Sequence, residues 1–198
     1  MTHISPQTLQ IGMIGHTTLL RQNVIRFRQI QEHYPFRIIS FPIYRSMQIA
    51  QLDGLLITGW QQQNLYHQIF PLQTAIQNHL ESLSLWGIAS GASMLGRNGI
   101  IPAIDCTITS HCGHTISTSI LEFPGCTSGR FVGYFIPEIR FTSPAPNLGI
   151  LCQNGSHGII AVRQGNYLAS SFAAELSSEL SLYRYWLEMV VSLKEWKI

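Results

Sequence analysis

Charge is the scarcest property of this chain. Twelve basic and ten acidic side chains make up only 11% of its 198 residues, against about a quarter in an ordinary globular domain. The net charge is +2, and the basic residues are scattered. Arg21, Arg26 and Arg28 lie close together but read as a solvated helix face. They do not begin an aromatic-interleaved basic stripe, so a nucleic-acid partner is not expected. Long apolar runs are also missing. None approaches the ~20 residues that a helix needs to cross a bilayer, and residues 1–10 lack a charged start followed by an apolar stretch, so neither a membrane span nor a secretion signal is expected. The four cysteines, Cys106, Cys112, Cys126 and Cys152, show no paired spacing, which argues against a disulfide framework and for a reducing cytoplasm. A surface so short of charge must be covered by neutral Gln, Ser, Thr and Asn, or in part by another protein.

What is present is a core. Hydrophobic residues make up 45% of the chain and aromatics 10%, enough for one domain over 1–198 with a two- or three-layer interior. The first half alternates short apolar runs with helical spacing. Strands are expected over 11–15, 36–41 (stopped by Pro42), 54–59 and 83–88. Between them, Leu20, Val24, Phe27 and Ile30 recur at helical intervals, as do Leu72, Ile76, His79 and Leu80. Continuous apolar strands separated by helices indicate a parallel sheet covered on both faces. The second half has short strands over 104–109, 131–136, 148–153, 158–163 and 167–172, joined by Gly, Pro and Asn turns. They are expected as antiparallel additions, with Asn154-Gly155 as a hairpin turn. A closing helix carries Leu180, Tyr183, Leu187 and Val191 as its buried stripe, with Ser177 or Ser178 expected to cap it.

Ligands of open parallel sheets bind beyond the carboxyl ends of the strands. Here those ends are Gly15-His16, Gly59-Trp60 and Gly87-Ile88-Ala89-Ser90-Gly91. The last is a strand, a Gly-x-x-x-Gly frame and a small-residue helix start, which is the pattern of a nucleophile elbow. The residue at its centre is Ala89, whose methyl group cannot attack a carbonyl.

With these residues in view, the chain resembles the class I glutamine amidotransferases, in particular the glutaminase subunit of pyridoxal 5′-phosphate synthase. The likeness runs from Ile11 to about Glu195. It is clearest in Asp53-Gly54-Leu55-Leu56-Ile57, in Gly133-Tyr134-Phe135-Ile136, and in the run from Ile159 to Leu168 that leads into Ser171-Phe172-Ala173-Ala174-Glu175-Leu176. The resemblance implies a three-layer, flavodoxin-like α/β fold with a mainly parallel sheet and antiparallel additions. It also implies a Cys nucleophile, a His base and a Glu two residues beyond that base. The matching positions here are Ala89, Ala173 and Glu175. The family's Gly-Gly-Glu-Ser loop, which serves the oxyanion and the substrate, reads Gly59-Trp60-Gln61-Gln62. A substrate-holding Arg-Asn pair aligns with Ser110-His111, and a further Arg with Pro137. Removing one nucleophile or base costs on the order of 10⁶ in turnover. The resemblance therefore implies a glutaminase scaffold without glutaminase chemistry, needing no cofactor and bound to a protein partner such as a synthase subunit.

Other residues carry competing readings. Ser90 is a replacement nucleophile or a helix-capping serine. Cys112 with His114 is a thiol–base pair or two unrelated loop residues. Cys106, His111, Cys112 and His114 are of types that suit zinc, but their spacing fits no established site and no metal is expected. Trp60 either fills the former glutamine pocket or is a surface aromatic, and His16 reads as a loop residue. A remodelled pocket that binds or transforms a different small molecule is the alternative to a protein-binding role.

Overall fold

In the computed structural model of the protein, residues 8–111, 116–123, 130–136, 138–155 and 157–195 are described. Strand β1 (Thr8–Gly15) leads into helix α1 (Thr17–Gln31), and β2 (Arg37–Pro42) follows. After β3 (Gly54–Gly59) come the helices α2 (Gln62–Ile69) and α3 (Gln73–Gln77), then β4 (Ser84–Ala89) and the short α4 (Ser90–Leu95). The second half contains β5 (Thr107–His111), β6 (Ser117–Leu121), β7 (Phe131–Phe135), β8 (Glu138–Thr142), β9 (Gly149–Asn154), β10 (Gly158–Gln164) and β11 (Tyr167–Ser170). Helix α5 (Ser181–Glu195) closes the chain.

Seven strands form one sheet in the order β2-β1-β3-β4-β11-β10-β9. The first five run parallel, and the hairpins β10–β11 and β9–β10 add antiparallel pairs. The fold is thus α/β with a mainly parallel sheet, as the apolar strands require. Alternate residues of each strand go to opposite faces. Leu9, Ile11, Met13, Leu56, Trp86 and Ile88 pack under α1 and α5. Ile14, Leu55, Ile57 and Leu85 pack on the other face, against Leu65 of α2 and Leu95 of α4. Among the described residues, no helix is long and apolar enough to cross a membrane.

An aromatic cluster locks the first face. Tyr183 stands edge-on to both Phe27 and Trp86, and Trp186 tilts against the same two rings. The Tyr183 hydroxyl donates to Asn23 Oδ1 at 2.6 Å, and Asn23 Nδ2 donates to the Leu19 carbonyl. This buried amide therefore joins α5 to α1 with its polar atoms matched. At the opposite edge, Lys194 Nζ reaches Asp53 Oδ2 at 2.9 Å and the Thr8 carbonyl, while Asp53 Oδ2 also accepts from Gln10 N.

Several elements depart from the sequence reading. Strand β11 was expected among the antiparallel additions but pairs parallel to β4, because β10 makes the reversal and sends it back beside the central strands. The connection between β3 and β4 folds as α2, a 3₁₀ turn over Phe70–Leu72 and α3, not as one helix bearing Leu72, Ile76, His79 and Leu80. Pro71 interrupts the helical backbone there. The ribbons β5–β8 and β6–β7 contain two strands, β6 and β8, that the sequence reading did not delimit. Helix α5 is not capped by Ser177 or Ser178. It begins at Ser181, where Glu179 Oε1 accepts from the amides of Leu180 and Ser181 and from Ser181 Oγ. A carboxylate also suits a helix N-terminus better than a hydroxyl, since it complements the dipole.

Candidate functional site

The carboxyl edge of the sheet meets the elbow at Ala89, which is fully buried and held at φ +52°, ψ −123°. Only Ala89 and Ser143 combine a side chain with positive φ among the described residues. Such a backbone costs about 1–3 kcal/mol and persists only where surrounding packing enforces it. Here the enforcement is close docking of α4. A Cβ on Gly91 would lie 2.0 Å from the Ile57 carbonyl oxygen, and one on Gly87 would lie 2.6 Å from the Gly91 carbonyl oxygen. The Gly-x-x-x-Gly frame therefore exists because helix and strands touch at backbone distance.

Neighbouring strands bring the other candidates to the same edge. Gly59 pairs in register with Ala89, and Ser170, the last residue of β11, pairs with Ile88. Just beyond Ser170, Ala173 is buried, and its amide donates to the Tyr134 carbonyl. Glu175 is buried completely, and its Oε1 accepts from Thr58 Oγ1 at 2.8 Å, while Oε2 has no partner. Burial pushes the Glu175 carboxyl up to about 7, against the opposing pull of hydrogen bonds and Arg26. The same burial, with the Glu175 charge, raises the Tyr183 phenol well above its ordinary value.

Ser90 is the first residue of α4, fully buried, with Oγ 3.2 Å from Ser110 Oγ. It does not cap the helix. Its hydroxyl partner is no general base at neutral pH, since a serine hydroxyl has little proton affinity. Ser110, aligned above with a substrate-holding pair, does reach the elbow by this contact. Cys112 and His114 lie outside the described residues, as do Cys126 and Pro137. Cys106 is buried and donates Sγ–H to the Thr142 carbonyl, with its thiol pushed up by burial. Among the described residues, no group of three or more His, Cys, Asp or Glu converges as a metal site.

The segment 59–62 divides between two roles. Gly59 ends β3 and Gln62 begins α2. Trp60 and Gln61 face a cavity of about 470 Å³. Trp60 stacks on His16, with ring centroids 6.2 Å apart and planes at 17°; both line that cavity, and His16 sits in the loop between β1 and α1. Sequence reasoning missed Thr58, the partner of Glu175, and the cavity residues Asn64, His67 and Gln68. The signal for the latter was present: Gln61, Asn64, Leu65 and Gln68 recur at i, i+3, i+4 and i+7.

A strained residue between a central parallel strand and a buried helix, at the carboxyl edge of a doubly covered sheet, is the geometry of a nucleophile elbow. Solved structures of glutamine amidotransferases share this fold. One crystal structure of a glutamine amidotransferase superposes with a TM-score of 0.75, at 21% identity over 91% of this chain and 98% of that one. The glutaminase domain of Trypanosoma brucei CTPS with bound acivicin gives 0.63, at 11% identity over 93% and 94%. No protein-family model matches the chain. In sequence, the chain is similar to pyridoxal 5′-phosphate synthase subunit PdxT. It is 25% identical to that of Bacillus cereus (strain AH187), over 96% of this chain and 99% of the relative.

Proposed function

We propose that this protein is a pseudo-glutaminase, a non-catalytic relative of PdxT that acts as a protein-binding or regulatory subunit, with a subunit of pyridoxal 5′-phosphate synthase as its partner. The observation that carries this reading is Ala89: the elbow keeps its strained backbone, φ +52°, around a side chain with no nucleophilic atom. Ala173 aligns with the base position that the resemblance implies, and Glu175 Oε2 has no partner. The protein-binding half of the reading is supported by the relative's name, which is that of a synthase subunit. Sparse surface charge and the large exposed side chains Tyr44, Met47 and Phe70 support it too.

Two measurements test the proposal. Purified protein is expected to release no ammonia from L-glutamine above a heat-denatured control. Sedimentation with the synthase subunit from the same source is expected to give a complex at micromolar concentration. Glutamine turnover that survives repurification would end the non-catalytic reading, and absence of any complex at high micromolar concentration would end the partner assignment.

A further inference from the structure

The cavity beside the elbow opens where β1 and β3 end and α2 begins, the place where open α/β sheets receive ligands. Its volume, about 470 Å³, lies within the range of small-molecule sites. We infer that it is a binding site for an uncharged, planar nitrogen heterocycle of nucleobase size, held by stacking on Trp60 and by hydrogen bonds from the α2 amide side chains.

Charge gives the first argument. The polar lining is His16, Gln61, Asn64, His67 and Gln68, beside Trp60. None is Asp, Glu, Lys or Arg. A zwitterionic amino acid such as glutamine would find no Asp, Glu, Lys or Arg side chain to pair with either of its charges. An uncharged ligand needs no such partner.

Shape gives the second. Trp60 and His16 lie within 17° of parallel, and an indole face suits a planar ring. Trp60 is 37% exposed, so part of its surface is available to a stacking partner.

Hydrogen bonding gives the third. Asn64 Nδ2 donates to Gln61 Oε1 at 2.6 Å. That pairing orients both amides and leaves Gln61 Nε2 to donate and Asn64 Oδ1 to accept, a donor–acceptor edge of the kind that reads a heterocycle. His16 Nδ1 accepts from the Thr18 amide at 3.4 Å, which in the neutral ring puts the remaining proton on Nε2 as a further donor. The Gln61 side chain does not cap α2, so first-turn amides of that helix remain for an acceptor atom on the ring. This inference does not depend on the protein-partner reading.

Titration calorimetry of the full chain with adenine, and separately with L-glutamine, tests it. Adenine is expected to bind at one saturable site, and L-glutamine to give no heat above dilution. Trp60→Ala is expected to weaken adenine binding about tenfold through lost stacking, whereas Trp60→Phe retains it. Asn64→Leu, on an exposed helix face, should weaken binding without lowering the melting midpoint. The inference is overturned if adenine shows no saturable binding into the millimolar range. It is equally overturned if Trp60→Ala and Asn64→Leu both bind adenine as the parent does, or if L-glutamine binds in a Trp60-dependent manner.

Discussion

Glu175 and Thr58 meet across 117 residues of chain, with Thr58 Oγ1 donating to Glu175 Oε1 at 2.8 Å while Oε2 faces no partner. A buried carboxylate with one of its oxygens unmatched is unstable as an anion, which is why burial lifts this group from 4.5 to about 7.

The lifted carboxyl makes folding pH-dependent. Below about pH 4.5 both the folded and unfolded states are protonated and the group contributes nothing. Between 4.5 and about 7 the unfolded chain ionises first, so the unfolded state binds fewer protons and stability falls as pH rises. Above that window the loss is complete, on the order of 3 kcal/mol. Urea denaturation from pH 4.5 to 8 is expected to show this decline, and Glu175→Gln to flatten it. Equal slopes for the two proteins would remove Glu175 as the cause.

The backbone at Ala89 predicts an unusual substitution pattern. Replacing a buried alanine by glycine ordinarily destabilises a protein, but at φ +52° glycine relieves strain of about 1–3 kcal/mol. Ala89→Gly is expected to leave the melting midpoint unchanged or raise it. Ala89→Val adds volume to a closed site and a β-branch to a disfavoured backbone, and is expected to cost about 3 kcal/mol. Thermal melts of the pair would separate elbow strain from simple packing, because packing alone lowers both midpoints.

Restoring the missing groups gives a third test. In Ala89→Cys with Ala173→His, Glu175 Oε2, which has no partner, is expected to accept from the new imidazole. Iodoacetamide is expected to alkylate the thiol at neutral pH about tenfold faster in the double variant than in Ala89→Cys alone, through a larger thiolate fraction. Ammonia release from glutamine is expected to stay at background, since the segment Gly59-Trp60-Gln61-Gln62 still differs from the substrate loop the resemblance implies. Identical alkylation rates would show that positions 89 and 173 do not cooperate.

The Tyr183 hydroxyl is the donor to Asn23 Oδ1 in a fully buried setting. Tyr183→Phe leaves that oxygen unmatched and is expected to cost about 1–3 kcal/mol, read as a lower denaturation midpoint with unchanged slope. Tyr183→Phe with Asn23→Leu removes both polar groups and is expected to recover part of the loss.

The sequence by itself determined the layer plan and the emptiness of the elbow. Continuous apolar runs over 11–15, 54–59 and 83–88 are local information, and strands apolar on both faces pack as a parallel sheet between helices. The identity of residue 89 is equally local, because no packing can give a methyl group a lone pair. Tertiary structure alone decided the rest. Thr58 and Glu175 are strangers in sequence, and only the pairing of β3 in mid-sheet brings a hydroxyl to that carboxyl. The stacking of Trp60 on His16 likewise needs β1 and β3 to end side by side. The direction of β11 and the start of α5 at Ser181, on the Glu179 carboxylate, were settled by which backbone groups found partners. Periodicity reports which face of an element is buried, but a ligand site and a buried polar pair are assembled from elements whose separation along the chain carries no trace of their meeting.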